Sequence, residues 1–383
     1  MVGRIGPLVI ERRPDPTVTW VLGVSVGAVL AALVATSGIF LAYGVSPIHA
    51  YVEILRGTFG SRLLAAEIVS RAIPLLLCGV GLALAFRAQF FNIGAEGQLL
   101  AGAMAATGVA LFVPIPSPWL IPCMFAAGFA AGALWGFLPT LLRVRLDVNE
   151  IITTLMMNYI AIYTVQWLIH GPWRGETAWG FAYTDTFVEA ARLPMLAGTR
   201  IHWPTLALGL VLAIGLAILL ARTRLGFEAR VIGQGMHAAR YAGIDPGRTM
   251  ILVMLLSAGA AGLAGVGEVA GIHRRLMDPV QVSLGYGYAA IIVAWLARGN
   301  PVATVLTALF LGFIFTAGDV LQVALRMPAR ITDVFNGLIL LFLIGGERLM
   351  YYRVRWAPAP HEPAATSTPH FEPGAGGAQE SDR

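Results

Sequence analysis

Residues 18–43 read VTWVLGVSVGAVLAALVATSGIFLAY, a run of 26 residues without one Asp, Glu, Lys or Arg. Coiled as an α-helix at about 1.5 Å per residue, it is about 39 Å long, more than the ~30 Å hydrocarbon core of a bilayer. It also exceeds the roughly 7–15 residues of a signal-peptide core, so it reads as a retained first span. Residues 119–142, 151–169, 203–221, 249–267 and 302–325 are similarly long and apolar, and shorter stretches at 72–86, 97–113, 286–297 and 331–346 bring the set to about ten. The chain is thus expected to be an all-α, polytopic membrane protein, some of its helices broken where Gly and Pro interrupt them.

Composition agrees. Hydrophobic residues make up 57% of the chain and charged ones 12%, against about 25% in soluble domains, and the mean hydropathy is +0.74. The net charge of +5 comes entirely from Arg, since the sequence has no Lys. The Arg residues sit between spans and on tails, where they orient a protein in the bilayer, so no nucleic-acid partner is implied. Cys78 and Cys123 both lie in apolar stretches, which speaks against a disulfide framework. Neither a catalytic nor a metal constellation is visible: the His residues are scattered, and H-E-x-x-H is absent. Without a G-x-x-x-x-G-K-[ST] loop the chain is not itself a P-loop ATPase, and energy must come from elsewhere.

Three regions follow: a cytoplasmic N-terminal segment, 1–17; a membrane domain, 18–350; and a tail, 351–383, whose Pro, Ala, Gly, Ser and Thr content predicts disorder. With the N-terminus in the cytoplasm, counting spans places Arg87, Arg143, Arg145, the 222–248 segment, Arg298, the 348–355 cluster and the C-terminus on the cytoplasmic side, in accord with the positive-inside rule. The 170–202 loop, with Trp173, Trp179 and Tyr183, then lies outside. Arg274 and Arg275 are the exceptions.

Two stretches stand out. In FNIGAEGQLLAGAMAATG, residues 91–108, Asn92, Glu96 and Gln98 sit among small and apolar residues, and Gly94 and Gly97 permit a break or a close backbone approach. Polar groups at membrane depth face a cavity, a partner or a substrate path, or else lock helices together, and both readings stand for these three. Asn158, within a later span, has the same two readings. The second stretch, 223–248, is too polar for membrane and too short for a domain. Within it His237–Ala242 forms about one and a half turns of helix, preceded by Gly233 and Gly235 and closed by Gly243, which tolerates a left-handed conformation. Such a helix is marginal alone and needs packing, against the spans or against a partner protein. Glu150 and its neighbours suit a helix N-terminus, and Glu268 ends the Gly-rich SAGAAGLAGVGE run, whose small residues allow close helix packing. A faint echo of Asn92-Ile93-Gly94 in Ser283-Leu284-Gly285 hints at an internal repeat.

FNIGAEGQ (91–98), NEIITTLMMNYIA (149–161), RVIGQGMHAARYAGI (230–244) and GYGYAAIIVAWLARGNP (285–301) together resemble the permease subunits of ABC importers for nucleosides and simple sugars, with ribose and branched-chain amino acid permeases further off. The resemblance covers most of 20–350, and FNIGAEGQ looks most like the longer permease of nucleoside importers. It implies a bacterial or archaeal inner-membrane protein forming half of a nucleoside pathway. The implied partners are a shorter second permease, an extracytoplasmic substrate-binding protein, and a cytoplasmic ATPase subunit that uses the ATP. No cofactor is implied in this chain. His237, Ala238, Ala239, Arg240, Tyr241 and Gly243 would carry the ATPase contact, and Asn92, Glu96, Gln98 and Asn158 the substrate path. Members of the family often have Asn-Pro before the docking helix, where this chain has Gly235-Met236. The alternatives are a sugar or branched-chain amino acid as cargo, or a secondary transporter using Glu96 and Glu268 as ion sites.

Overall fold

The computed structural model describes the backbone of residues 3–5, 8–12, 18–176, 180–350 and 352–356. Strands β1 (Gly3–Ile5), β2 (Leu8–Arg12) and β3 (Tyr352–Trp356) pair antiparallel in that order. They belong to a small unit drawn from Met1–Gly27 and Gly345–Arg383, and Ala28–Ile344 forms a second, much larger unit. Of the tail expected to be disordered, 352–356 are this strand, and the rest lies outside the described residues, as does Trp179.

The helices are α1 (Val18–Ala42), α2 (Pro47–Phe59), α3 (Arg62–Arg87), α4 (Ala95–Phe112), α5 (Ser117–Leu146), α6 (Glu150–His170), α7 (Trp203–Arg222), α8 (Arg224–Gln234), α9 (Met236–Tyr241), α10 (Pro246–Gly267), α11 (Pro279–Ser283), α12 (Tyr286–Leu296), α13 (Ala303–Ala324) and α14 (Ala329–Met350). Among the described residues, nine spans are long and apolar enough to cross a membrane. The bent pair Val26–Ala42 and Pro47–Phe59, at 108° to one another, makes a tenth. The protein is therefore an all-α polytopic membrane protein, as its hydropathy predicts. One broken span is α11 plus α12, interrupted at Leu284 and Gly285, both with positive φ. α10 ends differently, running on through a π-helical turn, Glu268–His273.

α3 is ten residues longer at its start than the apolar stretch 72–86, because Arg62, Glu67 and Arg71 mask it from a hydropathy reading. It is also the most enclosed span, with α10 and α4 next, whereas α6 and α7 present large apolar side chains outward. Small residues let the inner helices touch backbone to backbone. A Cβ on Gly102 of α4 would stand 2.0 Å from the Gly262 carbonyl oxygen of α10, and one on Gly265 of α10 would stand 1.9 Å from the Leu99 carbonyl oxygen of α4. Gly132 of α5 meets the Ala258 carbonyl in the same way, at 2.4 Å.

Gly265→Ala is accordingly expected to force α4 and α10 apart and to lower stability by about 2 kcal/mol or more, read as a drop in melting temperature of the purified protein in detergent. Gly215→Ala in α7, where a Cβ meets nothing within 4 Å, is expected to be neutral or slightly stabilising.

Candidate functional site

Residues 91–94 leave helical geometry between α3 and α4, so their backbone groups need partners from elsewhere. Asn158 of α6 supplies several: its Oδ1 accepts from Gly97 N–H at 2.8 Å, and its Nδ2 donates to the Ile93 carbonyl at 2.9 Å and to the Tyr288 hydroxyl at 3.2 Å. Thr154, one turn earlier, accepts from Ile93 N–H at 3.2 Å. Asn92 accepts from Gly94 N–H at 2.9 Å, and the Asn92 and Gln98 amides bond each other reciprocally at 3.0 and 3.1 Å.

Glu96 faces the other broken segment. Its carboxylate accepts from Gly287 N–H at 2.9 Å, and the Ser283 hydroxyl and the N–H groups of Gly285 and Tyr288 lie within its hydrogen-bonding reach. It thus caps α12, where a negative charge also complements the helix dipole. The approach is tight enough to require glycine, since a Cβ on Gly287 would stand 2.3 Å from Glu96 N. The two segments that echo each other in sequence meet here in space. Asn92, Glu96, Gln98 and Asn158 are all brought together, and all are buried, hydrogen-bonded and turned into the protein rather than toward an opening.

At one end of the bundle α8 and α9 form an elbow. Thr223 caps α8 by accepting from Gly226 N–H, and Glu228 ties it to α10 through Thr249 at 2.8 Å. Gly233 lies so close to the end of α3 that a Cβ would stand 2.3 Å from the Arg87 carbonyl oxygen. α9 begins one residue earlier than expected. Gly243 has φ +74°, its N–H bonds the Arg240 carbonyl, and Ile244 N–H bonds that of Ala239, the two bonds of a Schellman closure. Of the six residues singled out in sequence, Ala239 is buried against the bundle; His237, Ala238, Arg240, Tyr241 and Gly243 are exposed, Tyr241 almost completely at 97%.

A charge cluster that a scan for apolar stretches passes over lies toward the opposite end. Arg71 of α3 pairs with Asp319 of α13 and reaches the Tyr286 hydroxyl of α12 at 3.5 Å. Nearby, Arg200 stands 3.7 Å from Glu67, and His273 stands 3.8 Å from Glu268 on the π-helical turn. The available signal was the lone Asp319 in an otherwise apolar run, which an averaged hydropathy dilutes, and Arg71 just ahead of another. His202 was equally inconspicuous. It is wholly buried, close against Gly267 and Gly271, and burial, aided by the nearby Arg200 charge, pushes its imidazole down to about 4.

A family model described as a branched-chain amino acid transport system / permease component matches residues 64–344. The chain belongs to this family of ABC-transporter permeases. The permease is also 37% identical to the glucose ABC transporter permease protein TsgB13 of Haloferax volcanii, over 90% of this chain and 94% of that one. It is 31% identical to the guanosine ABC transporter permease protein NupP of Bacillus subtilis, over 92% and 97%, and 31% identical to the nucleoside ABC transporter permease protein NupB of Lactococcus lactis, over 86% and 89%. It is therefore a membrane-spanning permease subunit of an ABC importer, and ATP hydrolysis resides on another subunit.

Two predictions follow for the permease in detergent. Glu96→Ala leaves buried N–H groups at the start of α12 without an acceptor and is expected to cost about 2 kcal/mol or more, with Glu96→Gln milder, both read by thermal melting. His202 ionises near 6.5 when unfolded and only near 4 when folded, so the unfolded chain binds more protons between those values. Its contribution is present above about pH 6.5 and drains by up to about 3 kcal/mol as pH falls through 4. His202→Gln is expected to flatten that part of the stability profile.

Proposed function

We propose that this permease forms half of the translocation pathway of an ATP-driven importer for a nucleoside, working with a second permease, an extracytoplasmic binding protein and a cytoplasmic ATPase subunit. The observation that carries the proposal is the α8–α9 elbow. A six-residue helix cannot hold itself together in water, yet this one is closed by Gly243, pinned by Ala239, and presents His237, Ala238, Arg240 and Tyr241 outward. That is the form of a docking element for a soluble partner. Arg87, Arg143, Arg145 and Arg298 sit on the same side of the span count, which supports a cytoplasmic position for that end and for both termini in a bacterial or archaeal cell membrane.

The nucleoside assignment draws on the two relatives named for guanosine and nucleoside. A simple sugar is the second reading, favoured by the relative named for glucose. In either case Asn92, Glu96, Gln98 and Asn158 serve the pathway by holding the starts of α4 and α12 in place.

In proteoliposomes containing the permease with its ATPase, second permease and binding protein, uptake of labelled adenosine is expected to require ATP. Tyr241→Ala is expected to cut that uptake about ten-fold or more, the scale of one lost interface anchor, with an unchanged melting temperature. Uptake by this chain alone on a proton or sodium gradient would overturn the proposal.

A further inference from the structure

Glu67, Arg71, Arg200, Glu268, His273 and Tyr286 wall a cavity of about 50 Å³ between α3, α10, α12 and the end of the 171–202 segment. None of these groups belongs to the α4/α12 lock or to the docking elbow. The cluster lies within the membrane-spanning part: Arg71 is nine residues into α3, about 13 Å along its axis. The cavity is not sealed, since Leu284 on its wall is 46% exposed. Asp319, the partner of Arg71, has a side chain 45% exposed. A carboxylate so exposed at that depth does not face lipid; it faces water or protein.

The chemistry of the wall is mixed. Two guanidiniums alternate with two carboxylates, a phenol and an imidazole, and Asp319 stands behind Arg71. An anion entering would meet two carboxylates, and a cation would meet two guanidiniums. A hydroxyl, which donates and accepts at once, suits every wall. Two wall atoms have no hydrogen-bond partner within the protein, Arg71 Nε and His273 Nε2, and buried polar atoms of that kind are normally satisfied. One is a fixed donor and the other a donor or acceptor according to tautomer. The π-helical turn that carries Glu268 and His273 turns both side chains into this region, a geometry frequent at functional sites.

We propose that this cavity is a subsite for the primary hydroxyl, the CH2OH arm, of a neutral sugar-bearing solute. Its volume holds a small arm of that kind and excludes a whole ring. The arm is common to a ribonucleoside at its 5′ carbon and to a hexose at its sixth carbon. Tyr286 and Glu268 read the hydroxyl directly, and the Arg71–Asp319 pair holds the wall on which Tyr286 rests. This rests on the importer reading above and names the part of the cargo that the permease itself recognises.

The test uses the complete importer in proteoliposomes and two probe pairs: adenosine against 5′-deoxyadenosine, and glucose against 6-deoxyglucose. Each uptake ratio is divided by the affinity ratio of the isolated binding protein for the same pair. The wild type is expected to favour the hydroxylated member of whichever pair it carries, which tells nucleoside from sugar. Tyr286→Phe and Glu268→Gln, which keep shape, are each expected to shrink that preference about five-fold, the scale of one lost hydrogen bond, with little change for the deoxy probe. If both probes slow alike, or the preference stays as in the wild type, the cluster is a structural lock and the subsite is wrong. If the wild type carries neither pair with ATP, the cargo reading itself fails, and the subsite with it.

Discussion

In a bilayer every backbone N–H and C=O must find its partner inside the protein, and the rest of this structure is arranged around that demand at two places where helices break. Residues 91–94 and 284–285 interrupt the chain within the membrane domain. Each break is satisfied from across the bundle: Glu96, at the start of α4, caps α12, and Asn158 of α6 takes up the Ile93 carbonyl within the 91–94 break and the Gly97 N–H just after it. Glycine at 287 lets the two helix starts come together. The carboxylate gains far more here than it would in water, because the N–H groups it accepts from have no solvent to fall back on.

The lock fixes more than two helix ends. α4 is wedged by Gly102 and Leu99 against Gly262 and Gly265 of α10, and α12 packs on α3. The same two inner helices, α3 and α10, reach both ends of the membrane domain. At the elbow end Arg87 meets Gly233 and Gly299, and Thr249 binds Glu228; toward the other end α3 carries Glu67 and Arg71, and the continuation of α10 carries Glu268 and His273. Close-packed helices of this kind shift as rigid bodies rather than bend. The α8–α9 elbow and the charge cluster are thus built on one pair of rigid rods.

Much of this was legible in the residues. Long apolar runs are read additively, residue by residue, so the number of spans, the position of the elbow and the left-handed closure at Gly243 all followed from local rules. Asn92, Glu96, Gln98 and Asn158 stood out as well, because a polar group among apolar ones is conspicuous wherever it points. Their direction was not legible. Whether a carboxylate at membrane depth opens on a path or caps a neighbouring helix depends on what lies across from it, and α12 lies 191 residues away along the chain.

The charge cluster marks the same boundary from the other side. Arg71 looks like the end of a span, and the apolar reading of α3 stopped at residue 72 for that reason, whereas Asp319 passed unnoticed inside the 302–325 stretch. They meet only because α3 and α13 place the two charges side by side, with the Tyr286 hydroxyl within reach of Arg71. The sequence alone determined that this chain lives in a membrane, roughly how often it crosses, and where a short glycine-closed helix stands outside the spans, since each depends on short-range hydropathy and turn chemistry. Only the tertiary structure decided which polar groups hold the helices together and which surround a cavity, since that depends on the long-range pairing that neutralises a charge far from water.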